Sequence, residues 1–203
     1  MDFWNSLLTE KSWRILQDLN KKYEFILIGG WAVYLWTKQH KSKDIDIFVG
    51  IKELQHLKQE NLIKNDRLKK YEIKIDEIDI DIYVSHFSKL GIPVEDISSF
   101  VSKIEGFNVA IPEILLIMKQ NAELDRKHSV KGEKDRIDIL SLLFFADMDF
   151  KKYFSILIKY RINNYIDELI SLISAFQDYD ALSLTPKEFK LKKKEIIYRL
   201  KKL

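Results

Sequence analysis

The sequence predicts an α/β fold: a small mixed twisted sheet with flanking helices, followed by an α-helical C-terminal region. Three observations support this. Short runs of strand length (Phe25 to Ile28, Asp44 to Val49, Lys69 to Ile75, Ile78 to Val84) alternate with helical patterns in the first half. From Pro112 onward only helical periodicity remains. The composition, 46% hydrophobic and 12% aromatic, is that of a chain that buries a core.

In chain order, Leu7, Leu8, Ile15, Leu16 and Leu19 recur at helical spacing, predicting an amphipathic helix from Phe3 to Leu19 that ends near Asn20. Phe25 to Ile28 reads as a strand, Gly29-Gly30 as a turn and Trp31 to Thr37 as a buried helix. A basic loop, Lys38 to Lys43, leads to the strand Asp44 to Val49. Lys52 to Asn65 reads as a solvent-facing helix carrying Leu54, Leu57 and Leu62. Lys69 to Ile75 and Ile78 to Val84 are strands joined by a turn at Asp76-Glu77, and Val101 to Ile104 with Phe107 to Ile111 forms a hairpin around Glu105-Gly106. Helices are expected over Pro112–Arg126, Lys134–Phe145, Phe150–Tyr160, Ile162–Phe176 and Pro186–Leu200. Thr185-Pro186-Lys187-Glu188 carries the cap, first-turn proline and reciprocal Glu of the last helix. Gln177 to Thr185 reads as a hinge. The expected domains are 1–111 and 112–203.

With 34 Lys and Arg against 31 Asp and Glu, a net charge of +3 permits contact with nucleic acid without arguing for it. No cysteine is present, which excludes a disulfide framework and a thiolate zinc site. The N-terminus lacks the pattern of a secretion signal, and no apolar run approaches the roughly 20 residues that span a bilayer. The expectation is a cytoplasmic protein with no membrane partner.

Chemistry concentrates between Phe25 and Val49. Side chains alternate along a strand, so Asp44 and Asp46 share one face while Ile45 and Ile47 enter the core. Paired carboxylates repel one another unless a cation lies between them. Mg²⁺ takes oxygen ligands and keeps waters that substrate phosphates can replace, so this strand suits a metal-nucleotide site. In the strand Ile78 to Val84 the isoleucines again share one face, leaving Asp79, Asp81 and Tyr83 on the other.

Together Ile28-Gly29-Gly30, Asp44-Ile45-Asp46-Ile47 and Ile80-Asp81-Ile82 resemble the pattern of the nucleotidyltransferase superfamily related to DNA polymerase β. Within it the likeness is to the minimal AbiEii-toxin-like group. Lys41-Ser42-Lys43-Asp44 resembles the basic Arg-x-Thr-x-Asp lead-in of that group, with Lys for Arg and Ser for Thr. The segment from Ile111 through Lys119, Ala122, Arg126, Lys134-Asp135 and Asp138 resembles its helical segment, in which a Lys faces the nucleotide. The likeness spans roughly Phe25 to Leu143.

The resemblance implies a Mg²⁺-dependent transfer of an NMP from an NTP to a hydroxyl acceptor, with two ions allowed. Asp44, Asp46 and Asp81 would form the catalytic and metal set, Asp81 as third ligand or base. Gly29, Gly30, Ser42, Lys43 and Lys119 would contact the nucleotide. Implied partners are an NTP, an acceptor such as tRNA or a partner protein, and a cognate antitoxin of a toxin–antitoxin system.

Several readings stay open. Asp79 competes with Asp81 as third carboxylate. Asp135 and Asp138, at helical spacing beside Lys134 and Arg136, suit a structural ion pair as well as catalysis. Lys119 beside Ile114, Leu115 and Met118 suits a snorkelling lysine as well as a phosphate contact. Trp31, Tyr34 and Trp36 read as core packing. The basic run from Lys187 to Lys202 suits an RNA-facing helix or a solvated face. The alternative for the whole chain is a non-catalytic nucleotide- or RNA-binding module with a degenerate form of the same fold.

Overall fold

The computed structural model describes residues 5–203, which divide after Ile111 into two compact units. The first is a mixed α/β unit built on a seven-stranded sheet. Its elements are α1 (Ser6–Lys22), β1 (Ile26–Ile28), α2 (Gly29–Thr37), β2 (Ile45–Val49), α3 (Ile51–Leu57), β3 (Ile63–Asn65), β4 (Lys70–Ile75), β5 (Ile78–Val84), β6 (Val101–Ile104) and β7 (Phe107–Ala110). Spatial order is β3-β4-β5-β2-β1-β7-β6; β2 runs parallel to β5 and β1 to β7, and the other neighbours are antiparallel.

The alternation read from the sequence decides the faces. Ile45, Ile47, Ile80 and Ile82 have no exposed surface, whereas Asp46, Asp79 and Asp81 between them stay half-buried. α2 packs on β1 and β2, and α1 lies on β5. Trp31, fully buried, donates its Nε1–H to Ser12 Oγ at 2.8 Å and so ties α2 to α1.

Three expectations need correction. Gly29-Gly30 forms the first turn of α2 rather than a separate turn. The helix expected over Lys52 to Asn65 stops at Leu57, with Asn61 at φ +56, and Ile63–Asn65 pairs with β4 as an edge strand. Leu62 and Ile63 continue the apolar spacing of the helix, but the partner that captures them lies in β4. α1 runs to Lys22, two residues past the expected end, where Lys21 and Lys22 face the negative end of the helix dipole. The expected start at Phe3 lies outside the described residues.

The second unit is helical: α4 (Pro112–Arg126), α5 (Val130–Phe145), α6 (Phe150–Tyr160), α7 (Tyr165–Ala175) and α8 (Pro186–Leu200). α5 starts four residues earlier than expected because Ser129 caps it, accepting from Gly132 N–H at 3.0 Å. α7 starts later, at Tyr165 rather than Ile162. The Gln177–Thr185 segment contains a short 3-10 turn, Asp180–Leu182, that buries Leu182 completely. α8 begins with the expected reciprocal cap between Thr185 and Glu188.

The basic run on α8 is partly turned inward. Lys192 Nζ donates to Phe144 O at 2.9 Å, and Lys193 Nζ to Ser174 O and Phe176 O at 3.0 and 2.8 Å, satisfying carbonyls at the ends of α5 and α7. No helix among the described residues is long and apolar enough to cross a membrane.

Candidate functional site

The sheet register assembles the site. Asp46 in β2 pairs with Ile28 at the end of β1 and with Asp81 in β5, and Asp81 pairs with Glu72 in β4. Residues directly opposite on neighbouring strands share a face, and strands lie about 4.8 Å apart, so Glu72, Asp81 and Asp46 form one acidic row across three strands. Asp44 immediately precedes β2, on the same side of the alternation as Asp46. Asp79 pairs with Lys74 instead, and its half-exposed carboxylate approaches that lysine at 3.8 Å.

The row ends at the amino end of α2. Gly29 has φ +66, and a Cβ built there would overlap Asp46 Oδ2 and sit 2.6 Å from Asp46 Cβ. Glycine is therefore required twice, for the left-handed backbone and for the carboxylate lying against it. The unpaired N–H groups and positive dipole end of α2 favour an anion here. Gly30 follows as a buried residue of the same turn.

Lys70 neutralises the far side of the row. Its Nζ lies 2.5 Å from Asp81 Oδ2 and 3.0 Å from Glu72 Oε1, and Asn65 Nδ2 donates to the same Glu72 oxygen at 3.0 Å. Burial lowers the Lys70 pKa, but Asp81 and Glu72 outweigh it and hold the ammonium above its ordinary range. Asp81 moves the other way: burial, then the neighbouring Asp46 carboxylate, push it up to about 6 against the pull of Lys70. Lys70 thus holds two of the three carboxylates of the row, Asp81 and Glu72.

Among the described residues no group of three or more His, Asp or Glu side chains is already converged to hold a metal ion. The donor chemistry nevertheless fits a hard divalent cation. Asp46 and Asp81 offer adjacent oxygens whose mutual repulsion such a cation would relieve, with Asp44 two residues from Asp46.

In the segment leading to β2, Ser42 is buried and Lys43 half-buried. Lys119 belongs to the helical unit, in a buried cluster. Its Nζ lies 3.1 Å from Asp135 Oδ1 and 2.7 Å from Asp138 Oδ2, while Lys134 holds Asp138 at 3.0 Å and Arg126 holds Asp135 at 2.7 Å. Burial raises the Asp138 pKa, but Lys119 and Lys134 outweigh it and hold the carboxyl below its ordinary range.

Sequence reasoning passed over Lys70 and Glu72. The signal was present: a two-residue turn at Asp76-Glu77 fixes Ile75 opposite Ile78, which counts back to Glu72 opposite Asp81.

No protein-family description and no curated protein matches the chain. Among solved structures, it is similar to JHP933 from Helicobacter pylori, with 22% identity and a TM-score of 0.50, covering 97% of this chain and 93% of that one. It is also similar to an antigenic nucleotidyltransferase-like protein from Paracoccidioides brasiliensis, with 17% identity and a TM-score of 0.44, covering 83% of this chain and 92% of that one. The first likeness extends over nearly the whole of both chains and is one of fold.

Proposed function

We propose that the chain is a Mg²⁺-dependent nucleotidyltransferase moving an NMP from an NTP to a hydroxyl acceptor, with pyrophosphate leaving. The observation that carries the reading is the placement of Asp46, in register with Asp81 and against Gly29 at the start of α2. It agrees with the superfamily pattern of glycine turn, Asp-x-Asp strand and later carboxylate.

In this reading Asp44 and Asp46 hold the metal, with Asp81 as third ligand or base. When bound, Mg²⁺ supplies charge neutralisation at the phosphates. The N–H groups of Gly29 and Gly30 and the side chains of Ser42 and Lys43 orient the phosphates. Asp81, with its affinity for a proton displaced towards neutrality, takes the proton of the attacking hydroxyl. Lys119 is assigned to its ion-pair cluster with Asp135 and Asp138. The same resemblance allows tRNA or a partner protein as the acceptor, and makes the enzyme the toxin of a pair with a cognate antitoxin.

The test is incubation with each α-³²P-labelled NTP, Mg²⁺ and total cellular RNA or protein, comparing wild type with Asp44→Asn/Asp46→Asn. Label transferred by the wild type alone is expected, and the mobility of the labelled species identifies the acceptor.

One observation favours a second reading. The Lys70 ammonium already stands 2.5 Å from Asp81, where a cation would be drawn, as in a nucleotide-binding module without turnover. That module would bind NTP equally well after the double substitution and release no pyrophosphate with any acceptor.

A further inference from the structure

A cavity of about 480 Å³ in the α/β unit opens between α1, α2 and the β6–β7 hairpin. Its aromatic wall is made by Trp13 and Tyr34, both half-buried, over the fully buried Trp31. Trp13 is braced against Trp31 and Phe107, with ring centroids at 5.0 and 5.5 Å, and Tyr34 meets Trp31 edge-on at 5.5 Å. The rings are therefore fixed before anything enters.

The rim is cationic. Lys38 is committed to Glu105 at 2.5 Å and lies over the Tyr34 ring at 5.4 Å. Arg14 and Lys41 also line the cavity, and neither side chain has an ion pair or hydrogen bond with a described residue. Glu10 is the one acid here outside the Lys38–Glu105 pair, so cations exceed acids at the rim.

Rigid aromatic faces bordered by available cations suit a planar base carrying a phosphate, the combination by which proteins bind single strands. We propose that this cavity seats one nucleotide of a single-stranded RNA, its base against Trp13 and Tyr34 and its phosphate between Arg14 and Lys41. Lys41 is three residues before Asp44, at most about 11 Å of chain, so a strand seated here reaches towards the acidic row. The inference deepens the transfer reading by naming single-stranded RNA as acceptor, and in that role it rests on that reading. The binding itself is independent of turnover.

The experiment is fluorescence anisotropy with a 5′-labelled 12-nucleotide RNA of unstructured sequence, in EDTA and without NTP. Full-length wild type is compared with Tyr34→Ala, Arg14→Glu, Lys41→Glu and a control charge reversal at the exposed Lys58. Losses of about tenfold or more are expected for the three cavity variants, with Lys58→Glu near wild type and a duplex of the same sequence bound more weakly. Arg14 is exposed, so its reversal reads binding without risk to the core. Equal affinities across the cavity variants, an equal loss at Lys58, or preference for the duplex would overturn the proposal. Binding that behaves as expected in a protein that transfers no label would sink the transfer reading alone. Transfer to RNA undiminished in the cavity variants would sink this one alone.

Discussion

The carboxylate of Asp46 occupies the space in which a side chain on Gly29 would begin. The acidic row is thus pressed against the helix that follows the neighbouring strand, and this packing holds only while residue 29 has no Cβ.

Gly29→Ala must adopt a left-handed backbone, which costs about 1–2 kcal/mol, and must displace Asp46, which adds a similar amount. Urea unfolding should show a loss of roughly 2–4 kcal/mol, with nucleotide transfer abolished. Gly50→Ala is the control: a Cβ there meets nothing within 4 Å, and the loss should be no more than the roughly 1 kcal/mol that separates glycine from alanine at a helix N-cap. Equal stabilities of the two variants would refute the close approach.

Asp81 makes stability depend on pH in an unusual direction. Burial and the Asp46 carboxylate push its carboxyl up to about 6 from an ordinary 3.8, so the folded state binds the proton more tightly and loses relative stability as pH rises between those values. In EDTA, Asp81→Asn should therefore be at least as stable as wild type at pH 7.5, by up to about 3 kcal/mol, with the difference disappearing near pH 4. Added Mg²⁺ or Mn²⁺ should raise the wild-type melting temperature at pH 7.5 and not that of Asp81→Asn. A wild type that gains stability steadily from pH 4 to pH 7, in parallel with the variant, would contradict the raised pKa.

The Lys119 cluster carries the opposite sign. Asp138 is held below its ordinary range, so its contribution is present at neutral pH and is lost as pH falls through the carboxylate range. Lys119→Met, which removes one partner of a buried pair, should cost about 3–5 kcal/mol at pH 7. A variant of wild-type stability that has lost NTP binding would return Lys119 to the nucleotide site.

What was legible in the sequence was local. The capped start of α8, the turns at Asp76-Glu77 and Glu105-Gly106, and the alternation of β5 each depend on a handful of neighbouring residues. The edge strand β3 was hidden because its partner lies in β4, whereas Lys70 needed the register of the β4–β5 hairpin to be counted out from its turn. Asp44 and Asp46 stood out by themselves. That Asp81 rather than Asp79 faces Asp46 depends on where β5 stops relative to β2, which spacing along one chain does not carry. Lys192 and Lys193 read as surface charge because the carbonyls they satisfy belong to other helices.

The strict alternation of isoleucine and aspartate along β5 has an effect on the folding of the strand itself. Displaced by one residue against β2, β5 would drive Asp79 and Asp81 into the apolar layer and turn Ile78, Ile80 and Ile82 outward. Such a misaligned sheet would exclude itself by the cost of desolvating two carboxylates. The acidic row therefore proofreads the assembly of its own sheet, and substitutions of these aspartates by apolar residues should be judged by the homogeneity of the folded state as well as by lost chemistry.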